Sequence, residues 1–188
     1  MKEIKICIAG LGNVGSSVVQ SLIDSKNFIN LKSNFNIDIV GISAKNKNKN
    51  RIFDISRYKW FDNPLDFLNT DCDIVVELIG EEKGLSYDLV KNSLKKGKHV
   101  ITANKAMLAK NGSKLFKLAA QNNRYLLYEA AVAGGIPIIK TLKNNIALNK
   151  VKKISGILNG TTNYILTMME QENLSFDEAI SIAQSKGY

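Results

Sequence analysis

The stretch Ile4-Lys-Ile-Cys-Ile-Ala-Gly-Leu-Gly-Asn-Val-Gly15 constrains the fold more than any other part of the chain. Ile4, Ile6 and Ile8 alternate with Lys5 and Cys7, the period of a strand, and the run stops at Ala9-Gly10. Val14, Val18, Val19, Leu22 and Ile23 then recur at helical spacing. Gly10, Gly12 and Gly15 thus form G-x-G-x-x-G where a strand turns into a helix, the context that gives the pattern meaning. Gly10 permits the tight turn, Gly12 lets the backbone approach a pyrophosphate, and Gly15 lets helix and strand pack closely. The helix start then offers free N–H groups and a positive dipole end to the phosphates. The alternative is a tight strand–helix turn that binds nothing.

The rest of the first two thirds repeats the alternation. Strands are predicted at 37–42, 73–80, 99–102 and 125–128, with helices at 64–68, 85–94 and from 105 or 106 to 122. Residues 25–36 are rich in Ser, Asn and Lys and read as a loop with at most a short helical turn. Residues 45–50 alternate Lys with Asn and read as a flexible loop or the frayed start of a helix. Strand, helix, strand in succession predicts an α/β fold, a Rossmann-type doubly wound parallel sheet over residues 1–130. After Gly134-Gly-Ile-Pro137 the organisation changes. A helix at 136–142 with proline in its first turn, a strand at 152–158, a helix at 162–171 and a last helix opened by the capping box Ser175-Phe-Asp-Glu178 begin a second α/β domain over 131–188. These elements cannot bury their apolar faces alone.

Composition excludes little but bounds the partners. Hydrophobic residues make up 45% and charged residues 23% of 188, ordinary for a soluble globular protein. No run approaches the roughly 18 apolar residues of a membrane span, and the N-terminus lacks a signal peptide's apolar core, so the cytoplasm is the expected location. Cys7 and Cys72 have no Cys or His at metal-ligand spacing and read as reduced and structural. The net charge of +9 is spread along the chain without interleaved aromatics, which argues for a solvated surface over a nucleic-acid platform.

The end of the second strand reads the cofactor. An NAD site usually places an acid there; this chain has Ser43, Lys45 and Lys47 instead, which would attract a 2′-phosphate. NADP(H) is therefore preferred, with NAD(H) possible and plain solvation of a Lys/Asn tract as the alternative. Lys105 falls where a strand meets a helix, at the edge where open α/β sheets bind ligands. It could hydrogen-bond an oxygen that gains charge during hydride transfer, or it could be an exposed first-turn lysine. The turn at 159–163, Asn-Gly-Thr-Thr-Asn, offers N–H groups and hydroxyls to an anion, or simply an N-cap.

Four stretches together, Glu77-Leu-Ile-Gly80, Thr102-Ala-Asn-Lys-Ala-Met107, Glu129-Ala-Ala-Val-Ala-Gly-Gly-Ile-Pro137 and Gly156-Ile-Leu-Asn-Gly-Thr-Thr-Asn-Tyr-Ile165, resemble homoserine dehydrogenase signatures in order and spacing. The resemblance covers the chain from first strand to last helix. It implies reversible reduction of L-aspartate 4-semialdehyde to L-homoserine, with the second domain serving substrate binding and dimerisation. It further implies that Gly10, Gly12, Asn13, Val14, Gly15, Gly80, Thr102 and Gly187 line the cofactor, with Lys45 near the 2′-phosphate. Lys105 would be the catalytic lysine, and Gly160 and Thr161 would lie beside substrate. Glu129, with main-chain oxygens of Val132, Gly134 and Ile136, would match a monovalent-cation site for Na+; read from the residues alone, Glu129 is an ordinary strand-end carboxylate.

In that family a glutamate, an aspartate and a second lysine follow the point matching Tyr188, so the chain as given is expected to bind cofactor with little or no activity, and the full-length protein to be a homodimer. Two other classes stay in view. A semialdehyde dehydrogenase would need a cysteine in the second half, where none occurs. A non-catalytic NAD(P)-binding module would bind cofactor without turnover.

Overall fold

The computed structural model describes residues 2–146 and 149–187. Five parallel strands form one sheet in the order β2-β1-β3-β4-β5: β1 Lys2–Ala9, β2 Phe35–Ser43, β3 Ile74–Glu77, β4 His99–Thr102 and β5 Leu126–Leu127. β1 lies inside the sheet, between β2 and β3, and both of its faces are apolar. Ile6 and Ile8 join Leu11, Val19, Ile42 and Val76 in one core, while Cys7 and Ala9 join Phe61, Phe67, Val75 and Leu89 in another. The strand's period of two thus splits a single run between the two faces of the sheet. Each such buried aliphatic side chain stabilises by about 1.5–3 kcal/mol, enough to outweigh the exposed Lys2 and Glu3 at the start of the strand.

The connection from β2 to β3 returns across β1, so the winding reverses between β1 and β3. Turns leaving those two strands diverge, and a crevice opens beyond their C-terminal ends. α1 (Asn13–Asp24) follows β1, α3 (Leu85–Lys95) follows β3, and α4 (Lys105–Gln121) follows β4. Val90 and Leu94 of α3 and Met107, Leu115 and Ala119 of α4 close a third core over Val100 and Leu126.

Several elements differ from the sequence reading. Residues 26–33 form a helix, α2 (Lys26–Ser33), rather than a loop. The Ile29 N–H donates to the Ser25 carbonyl at 2.8 Å directly behind α1, so α2 continues an existing helix end and avoids the nucleation cost that its composition could not meet. Asn34, left-handed at φ 57°, then stops it. β3 ends at Glu77, short of the predicted 80, because Leu78–Gly80 turn over the Glu77 side chain.

The chain divides into two compact units between Gly134 and Gly135. In the second, a short α5 (Ile138–Lys140) runs into a π-helical turn at Thr141–Asn145, with Pro137 at its N-cap rather than in its first turn. The strand expected at 152–158 is absent: those residues are irregular, and Ile154, Ile157 and Leu158 are exposed. A strand needs a neighbour to take its N–H and C=O groups, and no strand of the second unit is found among the described residues. α6 (Gly160–Gln171) and α7 (Phe176–Ser185) are helices as predicted, and α7 carries the full capping box: Ser175 N–H donates to Glu178 Oε2 at 2.9 Å and Glu178 N–H to Ser175 Oγ at 3.4 Å. Among the described residues no helix is long and apolar enough to cross a membrane.

The chain's single histidine offers a check on sheet packing. His99 Nδ1 accepts from the Tyr125 N–H at 3.0 Å, and its ring stacks on Tyr125. Burial first, then the Arg124 charge, holds the imidazole below its usual 6.5, with Asp73 opposing. A depressed histidine contributes stability that is fully present above pH 6.5 and is lost as pH falls through the folded value, when protonation of Nδ1 ejects the N–H donor. Thermal unfolding followed from pH 7.5 to 5 is expected to show this loss, and His99→Gln, which keeps an acceptor without titrating, to flatten it.

Candidate functional site

β1 ends in the glycine turn. Gly10 sits at φ +95°, and a Cβ there would lie 2.3 Å from the Leu78 carbonyl oxygen. At Gly15 a Cβ would lie 1.8 Å from the Gly10 carbonyl oxygen. Both positions are therefore closed to any larger residue by backbone, the reason the turn is so tight. Gly12 is the opposite: a Cβ there meets nothing within 4 Å. The space lies over the start of α1, where no side chain caps the helix at Gly12 and no acid sits in the first turn. An uncapped N-terminus over open space is what an anion requires.

That space is part of a groove of about 640 Å³ lined by Gly10, Gly12, Ser43, Lys45, Lys49, Arg51, Leu78, Ile79 and Glu81. Gly10 N–H donates to the Ser43 carbonyl at 2.8 Å, tying the turn to the end of β2. The Lys45–Asn50 segment, read from sequence as flexible, is held by Arg51. Its guanidinium donates to the carbonyls of Asn46 at 2.5 Å, Lys47 at 3.0 Å and Lys49 at 2.8 Å, and it lies 5.5 Å from the centre of the Trp60 ring. Lys47 faces the same ring at 5.8 Å. The staple leaves Lys45, Lys49 and Arg51 together on the groove wall at the end of β2.

The other side of the crevice is organised by a residue that sequence reasoning passed over. Glu77 is fully buried at the end of β3. Its Oε1 accepts from the N–H groups of Ile79 at 2.9 Å and Gly80 at 3.2 Å and from Ser86 Oγ at 2.6 Å; its Oε2 accepts from Thr102 Oγ1 at 2.5 Å. Both hydroxyls accept in turn from Asn104: Thr102 Oγ1 from the main-chain N–H at 3.0 Å and Ser86 Oγ from Nδ2 at 3.4 Å. Their hydrogens are thus left for Glu77. Asn104 Nδ2 also donates to the Glu81 carbonyl at 2.7 Å, while Oδ1 caps α4 by accepting from Met107 N–H at 3.0 Å. Leaving any one of these buried donors unmet would cost about 1–3 kcal/mol. The signal was available: a carboxyl inside the apolar run of 74–79 needs partners.

Lys105 is the first residue of α4 and its side chain is exposed at the sheet edge. Thr102 lies wholly beneath the surface, and Gly80, at φ +89°, is tied to the same carboxyl of Glu77. Asn13 and Val14 open α1, with Asn13 lining the continuation of the groove toward Ile52. The first unit therefore gathers Gly10, Gly12, Asn13, Val14, Gly15, Lys45, Gly80 and Lys105 around the C-terminal ends of β1–β4.

In the second unit Asn159 caps α6, accepting from Thr162 N–H at 2.9 Å and from Thr162 Oγ1 at 2.8 Å, so the cap reading of that turn holds; Gly160 and Thr161 are the first two residues of the helix. Gly187, at φ +83°, follows the end of α7. Glu129 opens a 3-10 turn, Glu129–Ala131; Val132 is extended, and Ala133 and Gly134 are left-handed at φ 57° and 59°. Ile136 belongs to the second unit.

Family models match this chain along nearly all of its length: "Homoserine dehydrogenase, NAD binding domain" over residues 10–129 and "Homoserine dehydrogenase" over 137–188. The chain belongs to the homoserine dehydrogenase family. It is 38% identical to the homoserine dehydrogenase of Neisseria gonorrhoeae, over all of this chain and 43% of that one. It is 41% identical to that of Synechocystis, over 98% of this chain and 42% of the relative. The crystal structure of a homoserine dehydrogenase from Thiobacillus denitrificans superposes with a TM-score of 0.87 at 36% identity, covering 100% of this chain and 43% of that one. The chain thus spans a little over two fifths of the length of these relatives.

Proposed function

We propose that this chain is the nucleotide-binding and lysine-bearing part of an enzyme that interconverts L-aspartate 4-semialdehyde and L-homoserine with a nicotinamide cofactor. The observation that carries the reading is that the uncapped helix start at Gly12 and Lys105 at the head of α4 both lie at the C-terminal edge of one parallel sheet. The groove fits a dinucleotide: space over Gly12 for the pyrophosphate, and Gly10 and Gly15 too close to backbone to admit a side chain. Bound there, the cofactor supplies a hydride to the aldehyde carbon or takes it back from the alcohol. Lys105 hydrogen-bonds the oxygen as it gains charge and supplies or receives its proton, directly or through one water. Gly160 and Thr161 are assigned to the substrate, and Thr102 and Gly187 to the cofactor's surroundings.

NADP(H) is the proposed cofactor, since β2 itself ends without an acid and Lys45, Lys49 and Arg51 line the groove there, outnumbering the acids Asp62 and Glu81 on the same lining. Lys45→Ala is expected to weaken NADPH by about tenfold, the worth of one hydrogen bond to a charged group, and to leave NADH unchanged. Trp60, the only tryptophan of these 188 residues, lies against Arg51 and reports binding by energy transfer to the dihydronicotinamide. A monovalent cation such as Na+ is proposed for Glu129 with the main-chain oxygens of Val132, Gly134 and Ile136, because such oxygens are the donors a hard cation takes. A homodimer is proposed for the full-length protein, working in the cytoplasm.

The deciding experiment measures turnover of L-homoserine with NADP+ and, separately, NAD+ on the complete reading frame. Homoserine-dependent reduction supports the proposal. A folded protein that binds NADPH yet turns over homoserine with neither cofactor would sink it and leave a binding module.

A further inference from the structure

Glu77 stands in a strand that otherwise needs only apolar residues, and it is held by four donors from three separate segments of the chain. One oxygen fixes the 78–80 turn. That is the same backbone on which the glycine turn rests, since a Cβ on Gly10 would lie 2.3 Å from Leu78 O and 2.7 Å from Ile79 N. The other oxygen fixes the Thr102 hydroxyl, which receives the main-chain N–H of Asn104, the cap of α4. Lys105 is the next residue. A single buried carboxyl therefore sets both the floor under the phosphate turn and the start of the helix that presents the lysine.

We propose that Glu77 is a positioning residue, acting through Thr102 and Asn104 to hold the Lys105 backbone at a fixed distance from the cofactor turn. The proposal rests on the reading of Lys105 as the group that meets the reacting oxygen. Glu77 touches neither substrate nor cofactor in this role. Thr102 is the link to cut, because Val in its place keeps the shape of a fully buried side chain and removes only the hydroxyl between Glu77 and the Asn104 N–H. The bonds from Ile79, Gly80 and Ser86 to Glu77 Oε1 stay.

The test compares wild type, Thr102→Val, Thr102→Ser and Glu77→Gln in the complete reading frame, with three readouts: kcat for homoserine oxidation, NADPH affinity by quenching of Trp60, and melting temperature. Thr102→Val is expected to lower kcat between about tenfold and a hundredfold, the usual cost of a small misplacement of a reacting group. Thr102 is itself assigned to the cofactor's surroundings, so the affinity control is Glu77→Gln, which leaves Thr102 in place and keeps the bonds of the Gly80 turn and should hold NADPH affinity within about threefold; Thr102→Ser should restore kcat. Glu77→Gln keeps Oε1 as an acceptor and turns the atom facing Thr102 into a donor, so it should show the same selective loss of kcat if Thr102→Val does not fold. Variants that melt earlier yet keep wild-type kcat overturn the proposal and reduce the network to a fold-holding one. Absence of turnover in wild type that still binds NADPH is a separate result: it removes the dehydrogenase reading, and this inference with it.

Discussion

In the complete reading frame, replacing Lys105 by alanine is expected to lower homoserine turnover by about a thousandfold, with NADPH affinity unchanged and no loss of thermal stability. The size follows from the step assigned to the lysine. A positioned proton donor contributes roughly 10²–10⁴ in rate, and stabilising an oxygen as it gains charge adds to this. The absence of a stability cost follows from where the residue stands. Lys105 is exposed at the first position of α4, so its truncation opens no cavity. A cation at a helix N-terminus also opposes the helix dipole, so removing it relieves a small unfavourable interaction. A lysine at a position that local energetics disfavour fits the proposed contact with a reacting oxygen. Lys105→Arg keeps the charge but offers a wider, less acidic head, and is expected to recover only part of the rate. The comparison is made by steady-state kinetics beside a melting curve and Trp60 quenching. Turnover within tenfold of wild type in Lys105→Ala would remove the lysine from the chemistry and send the search for the proton donor elsewhere.

Much of the site was legible because it is local. The glycine turn, the period-two alternation of β1 and the Ser175–Glu178 capping box each involve residues a few positions apart, and the structure places each as read. What escaped was assembled across the fold. The Glu77 network joins residues 77, 79, 80, 86, 102 and 104 through two strand–helix connections, and no window of sequence contains it. The Lys/Asn tract at 45–50 looked flexible because every side chain in it is polar; Arg51, one residue further, closes three of its carbonyls. The misread strand at 152–158 shows the converse limit. Ile154, Ile157 and Leu158 supply apolar residues, but a strand exists only through a partner, and a local run does not provide one.

The two kinds of glycine in the turn give the second large effect, and they separate folding from binding. Gly15→Ala places a methyl where the Gly10 carbonyl oxygen lies 1.8 Å away. The obstacle is backbone at the junction of β1 and α1, so helix and strand must move apart. A cost of roughly 3 kcal/mol or more is expected, or about 6–12 °C in melting temperature, together with loss of NADPH binding because the phosphate turn no longer closes. Gly12→Ala meets nothing within 4 Å, and its φ of −76° and ψ of −160° suit any residue. The fold should lose at most about 1 kcal/mol, the difference between glycine and alanine at an N-cap. The new methyl instead enters the space over the start of α1, between the free N–H groups and the pyrophosphate. NADPH affinity should fall at least tenfold, roughly the value of one charge-assisted hydrogen bond. Melting curves and Trp60 quenching on both variants read the two effects independently. A Gly12→Ala protein that melts like wild type and binds NADPH equally well would mean that the open space at Gly12 is not where the phosphates lie, and the groove would have to be assigned to another ligand.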